Sequence, residues 1–235
     1  MKLLMILILF VPIITFSQVE RPKWDYPVKP GSEEWRQFKS TDDMYIACQI
    51  PDDILRQLNT EDLVHICLNF PATPQFLLFN TPQDCFMAFY SNFNGIRELF
   101  NRKDMGYYLI NRYTKMSMSD FNPLWPLHEQ GKYISQYKFI EAILAQSQVI
   151  KSLNSEERKS LMKEVIRKID EKLVKRDLFS GNNIQINLWV MAKILSYENK
   201  LYIPNMNIKD VQTFLDSGMP VDVDVNSIYE LAKKM

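Results

Sequence analysis

The feature that most constrains the fold is a short capped pattern that occurs three times in the first half of the chain. TDDMYIAC (41–48) and TEDLVHIC (60–67) both begin with Thr and acidic residues and end on Cys, and TPQDCFMAFY (81–90) is a looser copy. Threonine is a common N-cap, and acidic side chains in a first turn interact favourably with the helix dipole. We therefore predict that the first Thr of each copy caps a short helix.

The spacing of these copies and the pattern of the last third of the chain predict the fold class. The copies start 19 and 21 residues apart, which is typical of stacked helical arrays. Helical patterns follow over 137–153, 155–179 and 184–197, and the last of these is apolar on most faces, as in a central helix. We predict a mostly α fold of stacked short helices in an irregular, solenoid-like array, with an extended N-terminal arm.

The sequence divides into five parts. Proline residues favour an extended arm before the first copy, and two prolines and a glycine interrupt the helical pattern in the middle of the chain. The parts are a signal peptide (1–17), the extended arm (18–40), an N-terminal helical part (41–116), an aromatic and proline-containing loop (117–135) and a C-terminal helical part (136–235). We expect the two helical parts to form one domain.

The first residues, MKLLMILILFVPIITFSQ, indicate export. One Lys precedes an apolar run from Leu3 to Phe16, which is the pattern of a secretory signal peptide. The run is shorter than the roughly 20 residues of a membrane-spanning helix. We expect cleavage after Ser17, no membrane span after cleavage, and a periplasmic or secreted protein; an uncleaved membrane anchor is the alternative.

Charge and hydrophobicity narrow the classes of partner. The 28 basic and 28 acidic residues balance, so charge provides no argument for binding to nucleic acid or to an anionic membrane. A hydrophobic content of 46% excludes a generally disordered chain.

In the predicted helix 155–179, Glu164 and Lys168 form an i,i+4 pair that we expect on the solvent side.

The three cysteines fall on the predicted buried faces of the capped helices. Cys48, Cys67 and Cys85 form no C-x-x-C cluster, and His65 lies about 200° around the helix from Cys67, so the two cannot share a metal site. Packed free thiols are our favoured interpretation, and a Cys48–Cys67 disulfide remains open.

Motifs of known chemistry are missing from the sequence. It contains no G-x-S-x-G, G-x-G-x-x-G, P-loop or H-E-x-x-H motif. DVDVN (222–226) matches the first calcium ligands of an EF-hand, but Ser227 and Lys233 replace the required Gly and Glu. We predict no metal and no cofactor, and we interpret His65 as a structural histidine within an apolar helix.

The residues most typical of a binding site are aromatic. Trp125, His128 and Tyr133 lie in the predicted loop 117–135, and Trp24 lies in the arm. Aromatic residues presented by a loop on a helical scaffold are suited to holding a ligand or a partner. The alternative is that these side chains fold back onto the core.

Three segments, YPVKPGSEEWRQFKS, ACQIPDDILRQLNTEDLV and NFNGIRELFNRKD, resemble a group of uncharacterised exported proteins of Bacteroidetes. The resemblance covers about residues 26–115, and it implies export and a helical fold but no activity. Our functional hypothesis is a cell-envelope interaction or binding module, with another envelope protein as its candidate partner. The alternative is a hydrolase with a dispersed carboxylate site, which would show paired carboxylates of raised pKa in a pocket.

Overall fold

The computed structural model describes residues 24–174, 184–204, 206–220 and 222–235. Within these ranges it contains α-helices, two short 3₁₀ helices and no β-strand, which confirms the mostly α fold. The 3₁₀ helices are Thr73–Leu78 and Met118–Asp120. The α-helices are α1 (Glu33–Gln37), α2 (Thr41–Ala47), α3 (Asp52–Gln57), α4 (Thr60–Leu68), α5 (Pro82–Asn92), α6 (Asn94–Asn101), α7 (Met105–Lys115), α8 (Leu127–Leu144), α9 (Ser147–Ser152), α10 (Ser155–Val174), α11 (Gln185–Tyr197), α12 (Ile208–Ser217) and α13 (Val225–Lys233).

The three capped helices form as predicted, with a shift of one residue in two of them. In α2 and α4 the N-cap is the residue before the predicted Thr, namely Ser40 and Asn59. Each of these side chains accepts a hydrogen bond from the backbone N–H three residues later. Ser and Asn cap a helix at least as well as Thr, so the earlier residue takes the position. Thr81 caps α5 as predicted.

Helix α11 lies at the centre of the C-terminal part. Nine of its thirteen residues are buried, which confirms the prediction of a central helix. It packs against α8, α9, α10, α12 and α13. A helix in a solenoid contacts mainly its sequence neighbours. The solenoid-like arrangement is therefore not confirmed. None of the described helices has the length and hydrophobicity to cross a bilayer.

The cysteines are packed thiols. Cys48, Cys67 and Cys85 are all free and buried, in agreement with the favoured interpretation. Burial raises the pKa of Cys48 to about 12 and raises the pKa values of Cys67 and Cys85 above their ordinary range, because the thiolate would lose its hydration. The three thiols therefore stay neutral and serve as small core residues.

The predicted loop 117–135 is wrong in its second half, where α8 begins at Leu127. Pro126 lies directly before the helix, a position where its missing N–H and fixed φ do no harm. Gly131 lies within the helix, in open space, so it lowers helix propensity without breaking the helix. The loop prediction overestimated the tendency of Pro126 and Gly131 to break a helix.

The N-terminal arm is anchored by one tyrosine. Tyr26 is 4% exposed, and its hydroxyl donates a 2.8 Å hydrogen bond to the carbonyl oxygen of Ile66 in α4. Ser32 caps α1 by accepting a hydrogen bond from the N–H of Trp35. The predicted signal peptide and arm residues 18–23 lie outside the described residues.

A buried polar network connects α7, α8, α10 and α11. Lys172 Nζ donates to both carboxylate oxygens of Glu141 at 2.8 Å and to Asn187 Oδ1 at 2.7 Å. The Tyr113 hydroxyl donates to Glu141 at 2.9 Å, and Asn187 Nδ2 donates to both Glu141 and Tyr113. We call these four residues the buried network.

The placement of Lys168 on the solvent side is wrong. Its side chain is buried beside the network, where Nζ donates to the carbonyl oxygen of Met116 and lies 3.2 Å from Glu164. The pair with Glu164 does form, but at the edge of the core. A lysine can bury its alkyl stem when its ammonium group finds oxygen partners.

Candidate ligand-binding site

Two adjoining cavities lie where the N-terminal arm meets α4, α7 and α8. The arm cavity has a volume of about 560 Å³ and is lined by arm residues, the end of α4, the segment 70–74 and the start of α8. The arginine cavity has a volume of about 400 Å³ and is lined by residues of α4, α7 and α8, including Arg112. Four residues line both cavities: His65, Asn69, Glu129 and Lys132. Both volumes fall in the range of small-molecule sites, and we call the pair the double cavity.

The first three turns of α8 supply one wall. Glu129, Lys132, Tyr133 and Gln136 follow the i, i+3, i+4, i+7 spacing and therefore lie on one helix face. All four line the arginine cavity. Three of them lie in the predicted loop 117–135, and the loop prediction therefore excluded this helical spacing.

The structure brings the four predicted site residues to the double cavity. Trp24 and His128 line the arm cavity, while Trp125 and Tyr133 line the arginine cavity. Trp24 reaches the site because the arm crosses α4, held there by Tyr26. The binding role of the four residues stays a prediction.

His65 was interpreted as a structural histidine, but it lies on the exposed face of α4 and lines both cavities. Its Nε2 is 3.2 Å from Asn69 Nδ2, one helical turn later. Leu63, Val64, Ile66 and Cys67 are all buried. Their burial leaves positions 61, 65 and 69 for the outer face, a signal that the sequence contained.

Two aromatic side chains, Trp125 and Tyr133, line the arginine cavity and belong to a larger cluster of rings. The ring of Trp125 is 5.9 Å from that of Phe121 and 5.6 Å from that of Tyr133, and Tyr133 is 5.4 Å from Tyr137. The Tyr133 hydroxyl donates to the carbonyl oxygen of Ser117. Trp125 thus packs on neighbouring rings and lines a cavity at once, so the two interpretations of this residue are compatible.

Arg112 contributes a buried donor without a partner. Its Nε is buried and makes no hydrogen bond, and no salt bridge of Arg112 is found in the described part of the chain. Burial raises the pKa of Tyr133, and the positive charge of Arg112 opposes that rise. A buried donor without a partner costs about 1–3 kcal/mol. The Arg112 side chain also places a positive charge at the wall of the arginine cavity.

The other charged groups of the double cavity are mostly paired with one another. Lys29 forms a salt bridge with Asp25 in the arm cavity and, by its hydrogen bond, lowers the pKa of that carboxyl group. His128 Nε2 is 3.5 Å from a carboxylate oxygen of Glu129. Arg112 differs from these groups because it has no such partner.

The described residues contain no group of three or more His, Cys, Asp and Glu side chains that could hold a metal ion. Asp224, in the EF-hand-like segment, instead caps α13 by accepting hydrogen bonds from Asn226 and Ser227. Comparison of the chain with protein-family models, curated proteins and solved structures found no match.

Proposed function

We propose that this protein is an exported helical binding protein that holds a small organic ligand in the double cavity. The supporting observation is that the arm, α4, α7 and α8 bring aromatic, histidine and cationic side chains to two adjoining cavities of ligand size. The proposal of export is supported by the signal-peptide pattern and by the resemblance to exported Bacteroidetes proteins.

A protein partner in the cell envelope belongs to the same proposal. Leu124 and Leu127 flank Trp125 and are 89% and 85% exposed. Exposed apolar side chains around a half-buried tryptophan suit a protein contact at the rim of the arginine cavity. In-cell crosslinking of the tagged protein, with Leu124→Ser and Leu127→Ser as the rim variant, tests this contact; crosslinks to one partner that the rim variant loses would support it.

The ligand proposal is tested by compound retention. The purified protein is incubated with a small-molecule extract of the expressing cells, and retained compounds are identified by mass spectrometry. The blocked variant is His65→Trp, because His65 is exposed and borders both cavities. The control is Ile208→Trp, a change to a residue that is 84% exposed and lines neither cavity.

We expect the original protein and the Ile208→Trp control to retain at least one compound that the blocked variant does not retain. Equal retention by the blocked variant would contradict the proposal, as would the absence of any retained compound. Matching thermal unfolding curves for the three proteins ensure that the comparison concerns binding and not folding.

The second candidate is a hydrolase, and one contact favours it. Lys193 Nζ is 3.2 Å from Ser147 Oγ, and both line a cavity of about 250 Å³. Burial lowers the pKa of Lys193, which favours the neutral amine that could activate a serine. The carboxylate version has less support, since those carboxyl groups of the described residues whose pKa is shifted (Asp25, Asp43, Glu156 and Asp224) all have a lowered pKa. Labelling by a fluorophosphonate that Ser147→Ala removes would support the hydrolase; an unlabelled protein would contradict it.

A further inference from the structure

The arginine cavity indicates a class of ligand through the cationic side chain of Arg112. The amides beside Arg112 bond to each other: Gln136 Nε2 donates to Asn69 Oδ1 at 3.0 Å, and Asn69 Nδ2 donates to the carbonyl oxygen of His65 at 2.9 Å. Arg112 Nε, in contrast, is buried without a partner in the described structure. A guanidinium presents parallel N–H groups that match the two oxygens of a carboxylate.

The charge of the cavity favours a singly charged anion. Arg112 and Lys132 contribute two positive charges, and Glu129 contributes one negative charge. The balance of one positive charge matches a carboxylate, whereas a phosphate monoester carries about −1.5 to −2 at neutral pH. A second negative charge would lie near Glu129 without compensation.

Besides its charged groups, the arginine cavity has an aromatic wall. Trp125 and Tyr133 line the cavity and are held in edge-to-face contact with each other. Such pre-organised rings bind a flat or ring-shaped apolar body at little entropic cost, because they have few rotatable bonds to order. A volume of about 400 Å³ accommodates one ring with a short side chain.

We infer that the arginine cavity binds a small aromatic carboxylate, whose carboxylate group bonds to the Arg112 guanidinium and whose ring contacts Trp125 and Tyr133. Lys132 adds a second positive charge at the boundary with the arm cavity. This inference rests on the proposed function and specifies its ligand class.

The test uses phenylacetate and two matched probes, with affinities measured by isothermal titration calorimetry. Phenylacetamide has the same shape without the charge, and phenyl phosphate adds charge. The variant is Arg112→Met, which keeps an unbranched apolar stem. The control is Lys115→Met on the same helix, which removes the same charge from an exposed residue outside both cavities.

We expect phenylacetate to bind at least about tenfold more tightly than phenylacetamide or phenyl phosphate. Arg112→Met should remove that preference, and Lys115→Met should preserve it. Equal binding of phenylacetate and phenylacetamide, or an undiminished preference in Arg112→Met, would overturn the inference.

The compound-retention experiment separates failure of this inference from failure of the proposed function. If the extract compounds held by the double cavity persist in Arg112→Met but are lost in His65→Trp, the carboxylate assignment is wrong and the binding function stands. If phenylacetate shows no binding at millimolar concentration while extract compounds are retained, the same conclusion follows. Loss of the retained compounds in both variants, together with the phenylacetate preference, supports the inference.

Discussion

Arg112 and Tyr113 are consecutive residues of α7, yet their polar groups have opposite surroundings. The Tyr113 hydroxyl enters the buried network, where it both donates and accepts a hydrogen bond. Arg112 turns to the arginine cavity, where its buried Nε has no partner among the described residues. Helix α7 therefore separates two polar clusters. In the buried network, which we call the closed cluster, the polar groups are paired within the chain; in the cluster around Arg112, which we call the open cluster, a buried donor has no partner among the described residues.

The difference separates a polar cluster that serves the fold from one that our proposal assigns to ligand binding. In the buried network, Lys172, Glu141 and Asn187 bond to one another and to Tyr113, so desolvation is offset within the chain. At Arg112 no described residue offsets the desolvation of the buried Nε. Polar residues in a core are thus no sign of function by themselves.

The largest expected effect comes from breaking the closed cluster. Burial lowers the pKa of Lys172, and the Glu141 carboxylate counteracts this shift. Glu141→Gln removes that charge while keeping the side-chain shape, and we expect a loss of about 3–5 kcal/mol in the free energy of unfolding, measured with urea. The double variant Glu141→Leu with Lys172→Met should recover most of the loss, because no buried charge then remains unpaired.

The control for this prediction is Glu156→Gln at the start of α10. Glu156 bonds to Lys159 on the solvent-exposed surface, so its removal should leave stability unchanged within error. A Glu141→Gln protein as stable as this control would show that the buried network does not hold the core together.

A second prediction tests whether the buried core around Cys67 excludes the charged thiolate. Cys67 is fully buried, and burial raises its pKa above the ordinary value near 9. Above about pH 9 the unfolded chain loses this proton and the folded chain keeps it, so the stability contributed by the neutral thiol is lost as pH rises. The slope is about 1.4 kcal/mol per pH unit for one thiol.

The measurement is urea unfolding of the original protein and of Cys67→Ala from pH 7 to pH 10. The cavity left by the substitution costs the same at every pH, so the difference between the two curves isolates the thiol. That difference should be constant up to about pH 8 and should then shrink as the pH increases. Parallel curves over the whole range would mean that water reaches Cys67 in the folded state.

Local rules predicted much of the fold. The Thr81 cap of α5 and the apolar helix α11 each depend on neighbours within one or two turns. The packed thiols followed from the same helical periodicity. These features could be read from the sequence because their causes are close together in it.

The polar clusters could not be predicted in this way. Lys168 and Lys172 resemble solvent-facing residues of α10, and Lys172 is buried because Glu141 and Asn187 come from other helices. At the candidate site, Trp24, Trp125, His128 and Tyr133 were identified by residue type alone. Arg112 was missed because only the packing of α4, α7 and α8 shows that it borders a cavity. His65 was also missed, although the burial pattern of α4 predicts an outer-face position for it.

The smallest expected change in stability, that of Arg112→Met, is the most informative for the comparison of Arg112 with Tyr113. Arg112→Met removes a buried donor that has no partner in the described structure, and we expect the free energy of unfolding to stay unchanged or to rise by up to about 1 kcal/mol. Its matched neighbour, Tyr113→Phe, removes a hydroxyl on which Glu141 and Asn187 depend, and should cost about 1–3 kcal/mol. Both values come from urea unfolding of single variants at neutral pH. If Arg112→Met were as destabilising as Tyr113→Phe, Arg112 would be a structural residue, and α7 would not separate a closed cluster from an open one.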